Sequence, residues 1–235
     1  MFTEAFHQRV QDEWLPQYLR DCGYEPGGYV PPSEEIAEAD AEWFLRAMDD
    51  QVVELLPKAR LVLPASSVKA MIFWEHSRSV SPRPITLHLE GILSAGMAAR
   101  LHLEFGWPVA QLGFEYPPGA SLPGRRAFDL GALDPEGNLV LAGEAKKSAH
   151  ELDHVLKVIH DCATRGEHEH AADEKSATNG HRKWQGLVRC RPRVFFTFGP
   201  DQDWSIFHVS YGAEGQVVLR PGTSDLLVHG TGQGV

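Results

Sequence analysis

Three charged side chains near the middle of the chain have the types and the spacing for metal-assisted chemistry. Fourteen residues separate Asp129 from the triplet Glu144-Ala145-Lys146. Two carboxylates and the carbonyl oxygen of Ala145 suit a hard divalent cation such as Mg²⁺ or Mn²⁺, which prefers oxygen ligands. An ammonium group beside such a cation orients a water molecule or shares the charge of a phosphate, so the pattern indicates phosphate chemistry.

A β-hairpin is predicted to bring these side chains together. Asp134-Pro-Glu-Gly-Asn138 is dense in turn-forming residues, and Leu139-Val-Leu-Ala142 is an apolar run of strand length. Alternate residues of a strand share a face, so Glu144 and Lys146 project together, and Asp129 comes alongside them from the paired strand. Half-buried charges must be paired or bind a metal, which favours a functional site. The alternative is a solvated hairpin with a surface salt bridge.

These residues resemble the motif of the PD-(D/E)xK nucleases, a family with the restriction-endonuclease-like fold. Phe128 stands where the motif name has Pro, at a position that often varies in the family. The resemblance implies that Asp129 and Glu144 hold the metal and that Lys146 assists the attacking water. It covers about residues 85–210, a little over half of the chain.

A helix over about residues 85–105 is predicted to precede the hairpin. Its apolar stripe places Glu90 on or beside the buried face, where a Glu is unusual unless it has a partner. Nucleases of this family often carry an acidic residue on that helix pointing at the metal, so the resemblance makes Glu90 a supporting carboxylate. Glu104 is nearer the end of the helix and is the fallback.

The remaining pattern predicts further helices and strands around this centre. Helices are expected at residues 3–20, from Ser33 onward and from Ser148 to about Cys162, and strands at 109–116, 193–198, 204–209 and 217–219, the last at a sheet edge.

A polar stretch at residues 165–181 contains few apolar side chains and is predicted to be a long loop or a partly disordered lid. His168 and His170 lie within it. His150 and His154 share a helix face, as zinc-ligating histidines do, but no further ligand has matching spacing. Solvated histidines are therefore favoured, although His150 and His154 are close enough in sequence to Lys146 to contact a substrate phosphate.

Composition limits the classes of function. The 235 residues are 43% hydrophobic and 23% charged, which is ordinary for a globular protein. The formal net charge of −10 argues against coating nucleic acid through bulk electrostatics, so any phosphate-facing surface must be local. Basic residues concentrate in the second half of the chain, including Arg125 and Arg126. No membrane-spanning run, leader or paired-cysteine pattern is visible, which predicts a cytoplasmic protein with reduced thiols.

The sequence thus predicts an α/β fold with a mixed central sheet flanked by helices. We expect a mostly helical N-terminal extension over residues 1–84, a restriction-endonuclease-like core over 85–210, and an edge strand with a flexible tail over 211–235. The expected function is metal-dependent hydrolysis of phosphodiester bonds in nucleic acid, DNA rather than RNA, without a membrane partner. A noncatalytic module that binds nucleic acid or a protein partner is the alternative, and a homodimer remains open.

Overall fold

Helices and strands alternate along most of the chain. The computed structural model describes residues 1–30, 32–33, 35–66, 68–75, 82–116, 128–165, 175–212 and 216–230. The helices are α1 (Phe2–Arg9), α2 (Leu15–Cys22), α3 (Glu38–Asp49), α4 (Leu89–Leu103), α5 (Ala149–Arg165) and α6 (Lys175–Cys190). The strands are β1 (Tyr29–Val30), β2 (Glu54–Leu56), β3 (Arg60–Val62), β4 (Ala70–Met71), β5 (Phe73–Glu75), β6 (Arg83–Leu87), β7 (Leu112–Tyr116), β8 (Phe128–Leu133), β9 (Leu139–Ala145), β10 (Val194–Phe198), β11 (Trp204–Tyr211) and β12 (Val217–Pro221).

The largest sheet has six strands in the order β12-β11-β10-β9-β8-β7. Strands β9 and β10 pair in parallel and the other neighbours are antiparallel, so the sheet is mixed as predicted. Every residue of β9 and β10 is buried, which fits their apolar composition and their position at the centre of the sheet. The predicted strands near residues 193 and 204 are confirmed, and β12 lies at the edge as expected.

Helices cover both faces of this sheet. Leu101 of α4 belongs to the same core cluster as Phe196 of β10. Ile159 of α5 and Leu187 of α6 belong to a second cluster with the adjacent residue Phe195. Because neighbouring residues of a strand point to opposite faces, the two clusters lie on opposite sides of the sheet. The mixed α/β architecture with flanking helices is thereby confirmed.

The N-terminal part contributes to the same core. The predicted stripe of Phe6, Val10, Trp14 and Tyr18 is buried, and a π-helical turn at Val10–Trp14 joins α1 to α2. Two small sheets, β1-β6-β5 and β2-β3-β4, accompany these helices. The region predicted to be mostly helical therefore also contains the five short strands β1 to β5 among its described residues, and the predicted boundary at residue 84 falls inside β6.

Two predicted helix starts are wrong. The backbone at Ala37 is extended, so α3 begins at Glu38 and Ser33 does not cap it. The later start places Glu38 in the first turn, where the helix dipole stabilises a negative charge. The helix expected from residue 85 begins at Leu89 instead, because Ile85 and Leu87 are buried with strand periodicity in β6.

The predicted strand start at residue 109 is also early, since a 3₁₀ turn covers Val109–Gln111 before β7. The predicted loop at 165–181 is wrong over residues 175–181, which form the first turns of α6. The prediction failed because the apolar contacts of α6 lie further along the helix, at Trp184 and Leu187.

Some predictions fall on residues outside the described part of the chain. These are the basic pair Arg125 and Arg126, residues 166–174 of the expected lid with His168 and His170, and residues 231–235 of the expected flexible tail. Within the described residues, no helix combines the length and the apolar character that crossing a membrane requires.

Candidate active site

The hairpin of β8 and β9 places two of the predicted residues opposite each other. Leu130 pairs with Gly143 in the antiparallel register, so the next position brings Asp129 opposite Glu144. The backbone N–H of Ala145 donates a hydrogen bond of 2.9 Å to Asp129 Oδ2. The two carboxylates therefore sit at the end of β9, where the strand leaves the sheet.

Lys146 follows directly and lies among the oxygens of the predicted metal site. Its Nζ donates to the Ala145 carbonyl at 2.6 Å and lies 2.8 Å from Glu144 Oε1, 3.2 Å from Glu90 Oε1 and 4.0 Å from Asp129 Oδ2. Burial opposes the charged form, but the charges of Glu144, Asp129 and Glu90 outweigh it and raise the pKa of Lys146 above its ordinary value. The ammonium is thus held charged among four oxygens.

Glu90 and Glu104 lie at opposite ends of α4. His88 caps this helix, since its Nδ1 accepts a 3.0 Å hydrogen bond from the N–H of Gly91. Glu90 therefore stands in the first turn, at the helix end that faces the hairpin. Glu104 is at the opposite end and pairs with Arg100 at 2.8 Å. The structure brings Glu90 into the cluster and leaves Glu104 outside it.

Lys183 joins the cluster, although the sequence analysis did not identify it. It projects from α6, and its Nζ lies 2.5 Å from Glu144 Oε2. Its side chain is only 6% exposed. One sequence feature could have identified Lys183: it lies on the buried stripe of an amphipathic helix, together with Gly180, Trp184 and Leu187. It was missed because α6 itself was not predicted.

Glu144 is the most constrained member of the cluster. Its side chain is fully buried, and both oxygens face ammonium groups without a well-aligned hydrogen bond from any described residue. Burial, together with the nearby charge of Asp129, raises the pKa of Glu144 to about 7. Its neighbour on β10, Thr197, is also fully buried, and Thr197 Oγ1 has no hydrogen-bond partner among the described residues.

Asp129 has the opposite electrostatic character. Its side chain is 26% exposed. Burial disfavours its charged form, but the positive charges of Lys183 and Lys146 and the hydrogen bond from Ala145 N–H outweigh that effect and hold the pKa of Asp129 below its ordinary value. The two carboxyl groups therefore differ in their readiness to ionise, with Asp129 the stronger acid.

The oxygens around Lys146 form a donor set that fits Mg²⁺ or Mn²⁺. Three carboxylates and one backbone carbonyl are hard oxygen ligands of the kind these ions prefer. The Lys146 ammonium is itself a cation among these oxygens. In the described residues, no three His, Cys, Asp or Glu side chains are already arranged as a metal site. Metal binding therefore requires the ammonium to move away from part of this oxygen set.

An open cavity of about 650 Å³ adjoins the cluster. Glu90 and Lys146 form one wall, and α5 and α6 contribute His150, Glu151, His154, Val155 and Asn179. His150 and His154 are exposed and line the same cavity, so the structure brings this pair next to the cluster. Lys146 is therefore reached from the solvent through this cavity.

Comparisons of the chain with protein-family models, with curated proteins and with solved structures produced no match.

Proposed function

We propose that this protein is a metal-dependent nuclease that hydrolyses phosphodiester bonds in nucleic acid, with DNA as the preferred substrate. The observation that carries this proposal is the convergence of Asp129, Glu144, the Ala145 carbonyl and Glu90 on the Lys146 ammonium, within 2.6–4.0 Å. A hairpin, a helix and a strand parallel to the second hairpin strand also agree with a restriction-endonuclease-like core over residues 85–210.

Each residue has a distinct role in this proposal. Asp129, Glu144 and the Ala145 carbonyl hold Mg²⁺ or Mn²⁺, with Glu90 as a supporting carboxylate. The bound ion supplies Lewis acidity that stabilises negative charge developing on the phosphate. Lys146 retains its proton and donates a hydrogen bond to the attacking water or to a phosphate oxygen. The cavity beside Lys146 and Glu90 admits the substrate strand.

Lys183 positions the Glu144 carboxylate in this scheme. Its ammonium lies against the oxygen of Glu144 that faces away from Lys146, so it fixes the orientation of that carboxylate from the helix side. With Lys146 it offsets two of the three negative charges in the cluster. When all three carboxyl groups are ionised, one negative charge remains, and it attracts a divalent cation once the Lys146 ammonium has moved away from part of the oxygen set.

The second candidate is a noncatalytic module that binds nucleic acid or a protein partner. One observation favours it: Glu144 is already paired with two lysines, so their ammonium groups balance its negative charge without a metal. In this alternative the cluster is a buried ion-pair network that helps to specify the fold.

Cleavage of labelled DNA and RNA with Mg²⁺ or Mn²⁺, measured beside melting curves, tests the proposal. Asp129→Asn removes a metal ligand charge, so cleavage and the metal-induced rise in Tm should fall together. Lys146→Met should preserve the rise in Tm while cleavage falls by about 10²–10⁴-fold, the usual contribution of a proton-donating or water-orienting group. Glu104→Gln, on the same helix as Glu90 but outside the cluster, is the matched control and should cleave like the wild type.

The proposal is overturned if the wild-type protein cuts neither nucleic acid and neither cation shifts its Tm. That result would support the noncatalytic module. Cleavage that survives Lys146→Met unchanged would show that the activity does not come from this cluster.

A further inference from the structure

A threonine hydroxyl is buried next to Glu144 without a hydrogen bond. Thr197 of β10 is fully buried, and its Oγ1 has no hydrogen-bond partner among the described residues. Thr197 and Glu144 are paired in the parallel register of β9 and β10, so their side chains project from the same face of the sheet. A buried hydroxyl without a partner destabilises the protein. That cost is recovered only in a state in which the hydroxyl finds an acceptor.

The acceptor that the strand register brings alongside Thr197 is Glu144. Thr197 lies on the sheet face that α5 and α6 cover, because Phe195, two residues earlier on β10, packs in the core cluster formed with these helices. Both Thr197 and Glu144 are fully buried, so solvent does not supply a partner. Of the two cross-strand neighbours of Thr197, which are Glu144 and Ser205, only Glu144 carries a carboxylate. Carboxylates accept stronger hydrogen bonds than hydroxyls do.

Two lysines account for the missing hydrogen bond. Lys146 Nζ lies 2.8 Å from Glu144 Oε1, and Lys183 Nζ lies 2.5 Å from Glu144 Oε2. These contacts set the orientation of the carboxylate, and in that orientation neither oxygen accepts from Thr197. Binding of a divalent cation requires the Lys146 ammonium to move away, which releases one side of the Glu144 carboxylate.

We propose that Thr197 is a positioning residue that donates a hydrogen bond to Glu144 once a divalent cation has replaced the Lys146 ammonium. This inference rests on the proposed nuclease function, because that function requires the cation. Thr197 then holds the carboxylate from β10, and Lys183 holds it from α6. Part of the affinity for the ion comes from satisfying a hydroxyl that the free protein leaves without a partner. Removing the hydroxyl therefore has opposite effects on the free and the ion-bound protein.

Thr197→Val tests this directly, because it replaces the hydroxyl by a methyl group of similar size. The metal-free variant loses an unsatisfied polar group, so its Tm should rise by about 2–4 °C. The ion-bound variant loses a hydrogen bond, so its Kd for Mn²⁺ should rise by about 10-fold. Electron paramagnetic resonance of free Mn²⁺ measures this Kd without cleavage. Thr197→Ser keeps the hydroxyl and should bind Mn²⁺ like the wild type. Thr164→Val, the same substitution at an exposed position of α5, is the matched control.

The outcomes separate this inference from the nuclease proposal. An unchanged Kd for Mn²⁺ in Thr197→Val overturns the positioning role even if the protein cleaves DNA. A lower Tm of the metal-free variant also overturns it, because the hydroxyl would then have a partner in the free protein. Wild-type protein that binds no Mn²⁺ overturns it as well. Binding that weakens in Thr197→Val but not in Thr197→Ser, in a protein that cleaves nothing, supports the positioning role and overturns the nuclease.

Discussion

Two carboxylates in this protein, the partly buried Glu75 and the fully buried Glu144, are surrounded in different ways. Glu75 accepts hydrogen bonds from the hydroxyls of Tyr18 and Tyr24, the latter at 3.2 Å, and from Arg83 at 3.0 Å. We call these four residues the Glu75 cluster. Glu144 faces two lysines at 2.8 and 2.5 Å, yet neither of its oxygens has a well-aligned hydrogen bond from the described residues.

The pKa values of the two carboxyl groups move in opposite directions. Burial disfavours ionisation of Glu75, but the hydrogen bonds from Tyr18, Tyr24 and Arg83 outweigh it and hold the pKa of Glu75 below its ordinary value. Burial and the charge of Asp129 instead raise the pKa of Glu144 to about 7. Aligned donors stabilise one carboxylate, whereas ion pairs leave the other partly uncompensated.

This difference suggests different roles for the two carboxylates: Glu75 stabilises the fold, and Glu144 has the perturbed pKa expected of a reactive group. The Glu75 cluster connects α2, β5 and β6 and gains stability from satisfied hydrogen bonds. We call Glu90, Asp129, Glu144, Lys146 and Lys183 the Glu144 cluster. Burying these charges together costs folding free energy, which the packing of the rest of the protein offsets. Groups whose pKa values are strongly perturbed by burial and charge concentrate at functional sites, which favours the Glu144 cluster as the active site.

Removing Lys183 should produce the largest change in stability. Lys183→Met leaves a fully buried Glu144 oxygen without its nearest cation, and breaking one side of a buried ion pair typically costs about 3–5 kcal/mol. Urea unfolding at pH 7 measures this free energy. Lys147→Met, whose contact with Glu151 is exposed, should change it little and serves as the control. Equal effects of the two substitutions would remove the distinction between buried and surface lysines.

A smaller change in stability is expected at the Glu75 cluster. Glu75→Gln replaces the charged acceptor and should reduce the free energy of unfolding by about 2 kcal/mol at pH 7, because hydrogen bonds to charged groups contribute about 1.5–3 kcal/mol. Cleavage should be unaffected, since no residue of this cluster belongs to the proposed site.

The pH dependence of that loss follows from the lowered pKa of Glu75. A carboxyl group whose folded pKa lies below its unfolded value stabilises the protein above the unfolded pKa of about 4.3 and loses that contribution as pH falls through the folded pKa. The difference between the wild type and Glu75→Gln should therefore shrink in acid. A difference that stays constant from pH 7 to pH 3 would contradict the assigned hydrogen bonds.

The smallest effect is expected from one hydroxyl of the Glu75 cluster. Tyr24→Phe removes the 3.2 Å hydrogen bond to Glu75 and should cost about 1 kcal/mol at pH 7. A double-mutant cycle sharpens the assignment, because the same substitution should cost clearly less when Glu75 is already Gln. Additive losses would show that Tyr24 stabilises the fold through its ring contacts alone.

The sequence by itself determined the part of the candidate site that lies on one hairpin, Asp129 and Glu144. Turn residues at 134–138 and an apolar run after them indicate a hairpin, and strand periodicity then brings Asp129 opposite Glu144 without information from the rest of the chain. The sheet edge at β12 and the strands β10 and β11 followed from equally local patterns.

Only the tertiary structure decided which distant residues complete the site. Glu90 and Glu104 lie on the same helix, and the choice between them depends on which end of α4 docks beside the hairpin. Lys183 was missed because α6 begins in a polar sequence, and its buried side becomes recognisable only when it packs against α5 and the sheet. Hairpin register is set by neighbouring residues, whereas the convergence of helices on a strand end depends on long-range packing that local periodicity does not encode.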